Sequence, residues 1–131
     1  AYEAREGVFV DEVGFIPHPN IEGAGASPDG LVDADGLVEI KCPNTATMID
    51  TLINETVPKK YYSQMQMQMA CTERQWCDYA VFDPRMPENA QLFVKRIDRD
   101  DKFIAEMESE IIKFLVELEA KFETLKSKLG A

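Results

Sequence analysis

One short stretch, "GLVDADGLVEIKCP" at residues 30–43, limits the possible folds more than any other. Two runs rich in Leu and Val flank an Asp35-Gly36 turn, and Pro43 ends the second run because it has no N–H to donate. The chain must therefore contain a hairpin, and a sheet for it to join. Side chains alternate along a strand, so Glu39 and Lys41 share one face while Ile40 points to the opposite layer. The side on which Asp29 falls depends on the loop. A three-residue loop, Ala34-Asp35-Gly36, with glycine left-handed sets Leu31 opposite Glu39 and Asp29 opposite Lys41, so that Asp29, Glu39 and Lys41 share a face. A two-residue Asp35-Gly36 turn puts Asp29 on the other face.

The other elements follow from periodicity and punctuation. Residues 2–8 read as the end of a helix stopped by Gly7. The stretch "VFVDEVGFIPHPN" reads as one strand ending at Pro17. Thr45 is the expected N-cap of a helix running to about Asn54, and a second helix is expected from Pro58 to about Thr72. That helix contains "SQMQMQMA", which alternates as a strand would, but Gln and Met are good helix formers and poor strand formers. "QWCDYAVFDP" and "AQLFVKRID" are two further strands joined through residues 84–87. From Asp101 to Leu129, apolar residues recur at Phe103, Ile104, Met107, Ile111, Phe114, Leu115, Leu118, Phe122 and Leu125. This predicts a long amphipathic helix with one buried stripe, stopped by Gly130. The order is α-β-(ββ)-α-α-ββ-α, an α/β (α+β mixed) class with a mixed sheet and helices packed on it.

The length of 131 residues fits one domain with one sizeable core. The chain starts without Met or a helix N-cap, which reads as a domain lacking an N-terminal segment. Neither a signal-peptide pattern nor a bilayer-length apolar run is present in the sequence. Three widely spaced cysteines do not make a disulfide framework and read as buried or half-buried thiols in a reducing, cytoplasmic setting. The net charge of −10 argues against a general nucleic-acid coat protein, but not against an enzyme with a narrow groove. Much of the acid lies in the C-terminal stretch and reads as a solvated helix face.

Two carboxylates held 4 Å apart repel by about 4 kcal/mol at an effective dielectric of about 20. A lysine offsets part of this and a divalent cation offsets more. Oxygen ligands select Mg²⁺ or Mn²⁺ over zinc, and a lysine beside such an ion can hold an attacking water or stabilise charge on a phosphate. This is a layout for metal-assisted phosphodiester hydrolysis. The plain alternative is a solvent-facing Glu39–Lys41 ion pair worth at most about 1 kcal/mol, with Ser27-Pro28-Asp29-Gly30 an ordinary turn. His18, the single histidine, lies between prolines and reads as a loop residue, so there is no Ser-His-Asp or Cys-His machinery. "GAGASPDG" lacks the Gly-Lys-Ser/Thr of a phosphate-binding loop.

The ordered set "SPDGL", "EIKCP", "YYSQMQ" and "YAVFDPRM" resembles the phage lambda-type exonucleases, the YqaJ-type viral recombinases of the PD-(D/E)XK nuclease superfamily. That resemblance implies a restriction-endonuclease-like core with a mixed β-sheet flanked by helices. It implies two Mg²⁺ ions, with Mn²⁺ as a substitute, held by Asp29, Glu39 and the main-chain carbonyl of Ile40, with Glu3 assisting. Lys41 takes the place of the catalytic lysine that orients the nucleophilic water. Gln64 matches the glutamine of the family's Tyr-x-x-Gln-x-Gln helix, with Gln66 and Gln68 as rivals. Lys59 and Lys60, at the start of that helix, are candidate phosphate contacts. Tyr61, Tyr62, Met65, Met67 and Met69 read as packing residues.

The implied activity is 5′ to 3′ degradation of one strand from the ends of linear double-stranded DNA, during recombination. Implied partners are a ring-shaped homotrimer and a single-strand annealing protein, with no membrane. Three other readings stand beside it. One is another nuclease of the superfamily, either an endonuclease or a repair- or CRISPR-associated enzyme. Another is a catalytically inactive DNA-end-binding module. The last is an acidic interaction domain, which predicts that the stripe of the last helix stays exposed.

Overall fold

A computed structural model describes residues 1–130. In chain order its elements are α1 (Tyr2–Glu6), β1 (Val10–Asp11), β2 (Ile16–Pro17), β3 (Gly25–Ala26), β4 (Gly30–Val32) and β5 (Gly36–Lys41). They are followed by α2 (Thr45–Asn54), α3 (Lys59–Thr72), β6 (Trp76–Phe82), β7 (Leu92–Asp98) and α4 (Asp101–Lys128). The main sheet runs β1-β4-β5-β6-β7, and β2 and β3 form a separate two-stranded sheet. β5 and β6 pair in parallel, from Gly36 opposite Trp76 to Lys41 opposite Val81, while the other neighbours are antiparallel. A parallel pair needs a crossover, and α2 and α3 supply it. The mixed α/β class and the long last helix are as expected.

Alternation along β5 and β6 builds two layers. Leu37, Cys77, Tyr79 and Val81 face Met48 of α2 and Met65 and Met69 of α3. Val32, Val38 and Ala80 face Tyr2 of α1. The "SQMQMQMA" stretch is helix, and its period-two pattern is misleading because α3 packs on several sides. Met65 and Met69 enter the core, and Gln66 is also buried. Its amide donates to the Asp98 carbonyl and accepts from the Asp100 N–H, tying α3 to the start of α4.

Four expectations are corrected. The stretch expected as one strand ending at Pro17 is two short strands in different sheets: β1 pairs with β4 and β2 pairs with β3. The hairpin loop is Asp33-Ala34-Asp35, with Val32 opposite Gly36, Leu31 opposite Leu37 and Gly30 opposite Val38. Asp33 takes the left-handed conformation (φ 51°), not Gly36, where a β-carbon would strike the Trp76 ring. The loop is still odd-numbered, but Asp29 lies just past the last paired residue, Gly30, and its carboxylate turns to the Ile40 N–H, so it does not share a face with Glu39 and Lys41 as expected. The N-cap of α2 is Asn44, whose side chain accepts from the Thr47 N–H, and Thr45 instead donates its hydroxyl to Asp83. Finally, the stripe on α4 is largely uncovered: Ile104 is buried, but Phe114, Leu118, Phe122 and Leu125 are exposed. The first turns of α4 meet α3, and the helix then runs past the core. Among the described residues, no helix is long and apolar enough to cross a membrane.

Two buried carboxylates pin the layers. Asp78 is 1% exposed, accepts from the Tyr2 hydroxyl at 2.7 Å, and is held by Arg96 at 2.8 and 3.1 Å. Burial, then the Asp78 carboxylate, pushes the Tyr2 phenol above its ordinary range. Asp83, at the end of β6, accepts from Arg85 Nε at 2.8 Å, the Arg85 N–H at 3.0 Å and the Thr45 hydroxyl at 2.9 Å. Arg85 also donates to the Pro43 carbonyl, so the buried end of β6 is tied to the chain just after β5.

Tyr2→Phe removes a hydrogen bond to a charged group and should lower the unfolding free energy by about 1.5–3 kcal/mol in urea, with an unchanged slope. Arg85 holds the Asp83 carboxyl below its usual range, so this group stabilises the fold above its unfolded pKa and stops doing so as pH falls through its folded pKa. In thermal melts Asp83→Asn should be less stable than the parent at pH 7, and the gap should close below about pH 4.

Candidate active site

β4 stops pairing with β5 at Gly30 opposite Val38, which leaves the next stretch of the β5 edge without a strand neighbour. Asp29 fills that place: its Oδ2 accepts the Ile40 N–H at 2.7 Å. The N–H and C=O of one strand residue point to the same edge, so the Ile40 carbonyl also faces the Asp29 side. Asp29 and Ile40 are exposed, and with Glu3 they line a pocket of about 260 Å³ at the open end of the sheet. Glu3 Oε2 accepts the Val10 N–H at 2.9 Å, which fixes the glutamate against the start of β1.

Glu39, on the next pleat, is 6% exposed. Such a carboxylate needs donors, and it has two. Lys41 Nζ lies 3.1 Å from Oε1, and Gln68 Nε2 donates to Oε2 at 2.6 Å. Lys41 is steadied in turn by the Tyr61 ring, 4.2 Å from its ammonium. Tyr61 stacks on Tyr79 at 5.9 Å and also receives Lys60 at 4.8 Å, so it acts as packing and as a platform for two cations. Tyr62 donates to Asp100 and meets Phe103 edge-on, a purely structural position.

Gln64 is exposed on α3 and shares a second pocket with Ser27, Glu39 and Gln68. The structure therefore gathers Glu3, Asp29 and Ile40 on one side of β5, and Glu39, Lys41 and Gln64 on the other. Lys59 is exposed in the first turn of α3, and Lys60 is turned toward Tyr61. Sequence reasoning put Gln68 among the rivals and missed its contact with Glu39. A cue was present, since Gln64 and Gln68 are four residues apart and so share a helix face, whereas Gln66 does not. His18 is a loop residue as expected, but it is buried. Its Nδ1 accepts from the Asn20 and Ile21 N–H groups, and its Nε2 lies 2.6 Å from Glu108 of α4, off-line for a full hydrogen bond.

Among the described residues, no three His, Cys, Asp or Glu side chains are gathered closely enough to hold a metal. The available donor set is two carboxylates and a main-chain carbonyl, all oxygen, open to solvent at Asp29. That set fits Mg²⁺, which keeps several waters and is held through one or two carboxylates plus substrate phosphates. Zinc sites are built mainly on Cys and His ligands, and this donor set has neither.

A family model described as the YqaJ-like viral recombinase domain matches residues 1–75. Among solved structures, the chain is similar to an alkaline exonuclease (LHK-Exo) from Laribacter hongkongensis, at 54% identity and a TM-score of 0.96. The match covers 98% of this chain and 66% of that one, and it is the same for LHK-Exo in complex with dAMP. A phage-related exonuclease from Haemophilus somnus 129PT matches at 14% identity and a TM-score of 0.71, covering 92% of this chain and 66% of that one, which shows a shared fold. The chain thus spans 66% of the length of each, just short of two thirds. No curated protein matches it significantly.

Cys77 lies under Glu39, and burial followed by the Glu39 carboxylate pushes its thiol far above the ordinary range. Burial also raises Cys71, whereas Cys42 is exposed. With a thiol reagent at pH 8, Cys42 should react at once, and Cys71 and Cys77 only after denaturant is added. Fast labelling of Cys77 in the folded protein would mean that the floor of this site is open.

Proposed function

Because the chain belongs to the family of YqaJ-like viral recombinase domains, we propose that it is a Mg²⁺-dependent exonuclease. In this reading it degrades one strand of linear double-stranded DNA from its end. One observation carries the proposal: the Asp29 carboxylate lies against the main chain of Ile40, between Glu39 and Lys41. The similarity to an alkaline exonuclease supports it, and that relative's complex with dAMP, a deoxynucleoside monophosphate, agrees with release of mononucleotides.

The ions, two in the family pattern and replaceable by Mn²⁺, would be held by Asp29, Glu39 and the Ile40 carbonyl, with Glu3 assisting from the adjoining helix. When bound they supply charge neutralisation on the scissile phosphate and a water of lowered pKa. The protein's own groups do the rest. Lys41, with Tyr61 behind it and Glu39 beside it, presents an ammonium N–H to orient the attacking water. Gln64, on the exposed side of the same pocket, positions that water or the phosphate. Lys59 and Lys60 steer the backbone toward the pocket, contacts that position the strand without reading its sequence.

The 5′ to 3′ polarity, the ring-shaped homotrimer, the annealing partner and a cytoplasmic location belong to this proposal through the family resemblance. The acidic interaction domain is favoured by one observation, the exposed face of α4. It is compatible with a nuclease that assembles through that face.

The test is degradation of an end-labelled linear duplex in Mg²⁺, with a covalently closed circle as control. The chain should shorten the duplex from its ends and leave the circle intact. Lys41→Ala should slow the reaction on the order of 100-fold or more while keeping metal binding. Cutting of the circle at the linear rate would point to an endonuclease, and equal rates for the parent and Lys41→Ala would remove Lys41 from the chemistry.

A further inference from the structure

We propose that Gln68 is a positioning residue for Glu39: it holds one oxygen of that carboxylate in place so that Glu39 keeps its orientation for a divalent cation. The inference rests on the metal-dependent reading above and extends it to a residue outside the motif that carried the family resemblance.

The contact is short and buried. Gln68 is 5% exposed, and its Nε2 donates to Glu39 Oε2 at 2.6 Å, the length of a charge-assisted hydrogen bond. A carboxylate only accepts, so the amide must present its NH₂ group to Glu39 and its oxygen away. That oxygen lies 3.9 Å from Cys77 Sγ, a weak donor that suits this orientation. Met65 and Met69 pack α3 on the sheet on either side of this turn, which fixes the backbone that carries Gln68.

The consequence lies in how the two oxygens of Glu39 are divided. Lys41 takes Oε1 at 3.1 Å and Gln68 takes Oε2. A second cation at Oε2 would cancel the negative charge that a metal needs, whereas a neutral amide satisfies the oxygen and leaves that charge in place. Without the amide, the carboxylate is free to turn about its last torsion and bring both oxygens to Lys41. Gln66, two residues earlier, shows the contrast. It is equally buried but bonds Asp98 and Asp100, away from this site.

The test compares Gln68→Met, which preserves chain length and removes the donor, with the parent and with Gln66→Met. Mn²⁺ binding is titrated by electron paramagnetic resonance in the absence of DNA, alongside thermal melts. Loss of such a supporting donor is expected to weaken metal binding about 10- to 100-fold. Gln68→Met should therefore bind Mn²⁺ at least about tenfold more weakly while still melting cooperatively, and excess Mn²⁺ should restore its exonuclease rate. Gln66→Met should lose stability and keep the parent's affinity for Mn²⁺. A Gln68→Met variant that binds Mn²⁺ within about twofold of the parent overturns the proposal, since a supporting donor is worth at least about tenfold. So does a loss in Gln66→Met of the same size. Gln68→Leu is measured in parallel, and collapse of both Gln68 variants would make the residue structural and end the proposal equally. A parent chain that binds no Mn²⁺ and degrades no duplex would instead overturn the nuclease reading itself.

Discussion

The structure depends on the six-residue parallel pairing of β5 with β6. Parallel neighbours cannot be joined by a tight turn, so the chain must leave the sheet after Lys41, cross one face and return at Trp76. The crossover supplies α2 and α3, and its handedness leaves α3 lying over the face that carries Leu37, Glu39 and Lys41. The contact between Gln68 and Glu39, the platform under Lys41 and the burial of Met65 and Met69 all follow from that one connection. The exit point is then locked from both strands, because Asp83 ends β6 and binds Thr45 and Arg85, and Arg85 binds Pro43. The stretch "YAVFDPRM" therefore has a mechanical reason to accompany "EIKCP". It latches the strand that carries the site.

The opposite face serves the site in a different way. α1 is five residues long and has no side-chain N-cap, so it holds no position by itself. It is held by Tyr2, which reaches Asp78 at the centre of β6, and Asp78 is held in turn by Arg96 against the Trp76 ring. Glu3 is the next residue, so the depth of Glu3 beside Asp29 is set by a hydrogen bond on their own face of the sheet, the face opposite Glu39 and Lys41.

How much of this could be read from the residues depended on the range of the cause. The hairpin, its stop at Pro43, its odd-numbered loop and the pairing of Glu39 with Lys41 are local, and they held despite a shifted register, whereas Asp29 lies past the last paired residue and turns to the Ile40 N–H instead of sharing their face. The shift has a non-local cause. Trp76 packs over Gly36, so Gly36 is needed as a bare residue in the strand and Asp33 takes the positive φ instead. The split between β1 and β2 was likewise hidden, because a β-rich run does not say which partner each part will find. The α4 stripe was read correctly as amphipathic and wrongly as buried, since periodicity reports a face and not what covers it. His18 looked like loop filler, although its ring is enclosed by its own loop and by Glu108 on an element ninety residues away.

The distribution of charge bears on how a polyanion could use this site. The first 57 residues hold eleven of the 24 acidic side chains and two of the fourteen basic ones, whereas residues 58–97 hold six basic and four acidic. Glu3, Asp29 and Glu39 all belong to the acidic portion, while Lys59 and Lys60 open the basic one. A DNA strand guided along the start of α3 therefore meets favourable charge first and a carboxylate-lined opening second. Closing that second gap requires positive charge that Lys41 alone does not supply, because its ammonium is already shared with Glu39 and Tyr61. A divalent cation at Asp29 and Glu39 would reverse the sign of the opening at the point where a phosphate must sit. On this argument the chain's acidity is part of how the proposed enzyme couples its substrate to its metal. In that reading, affinity for DNA would be low along the acidic surface, where phosphate contacts would otherwise dominate, and would rise where the ion is held.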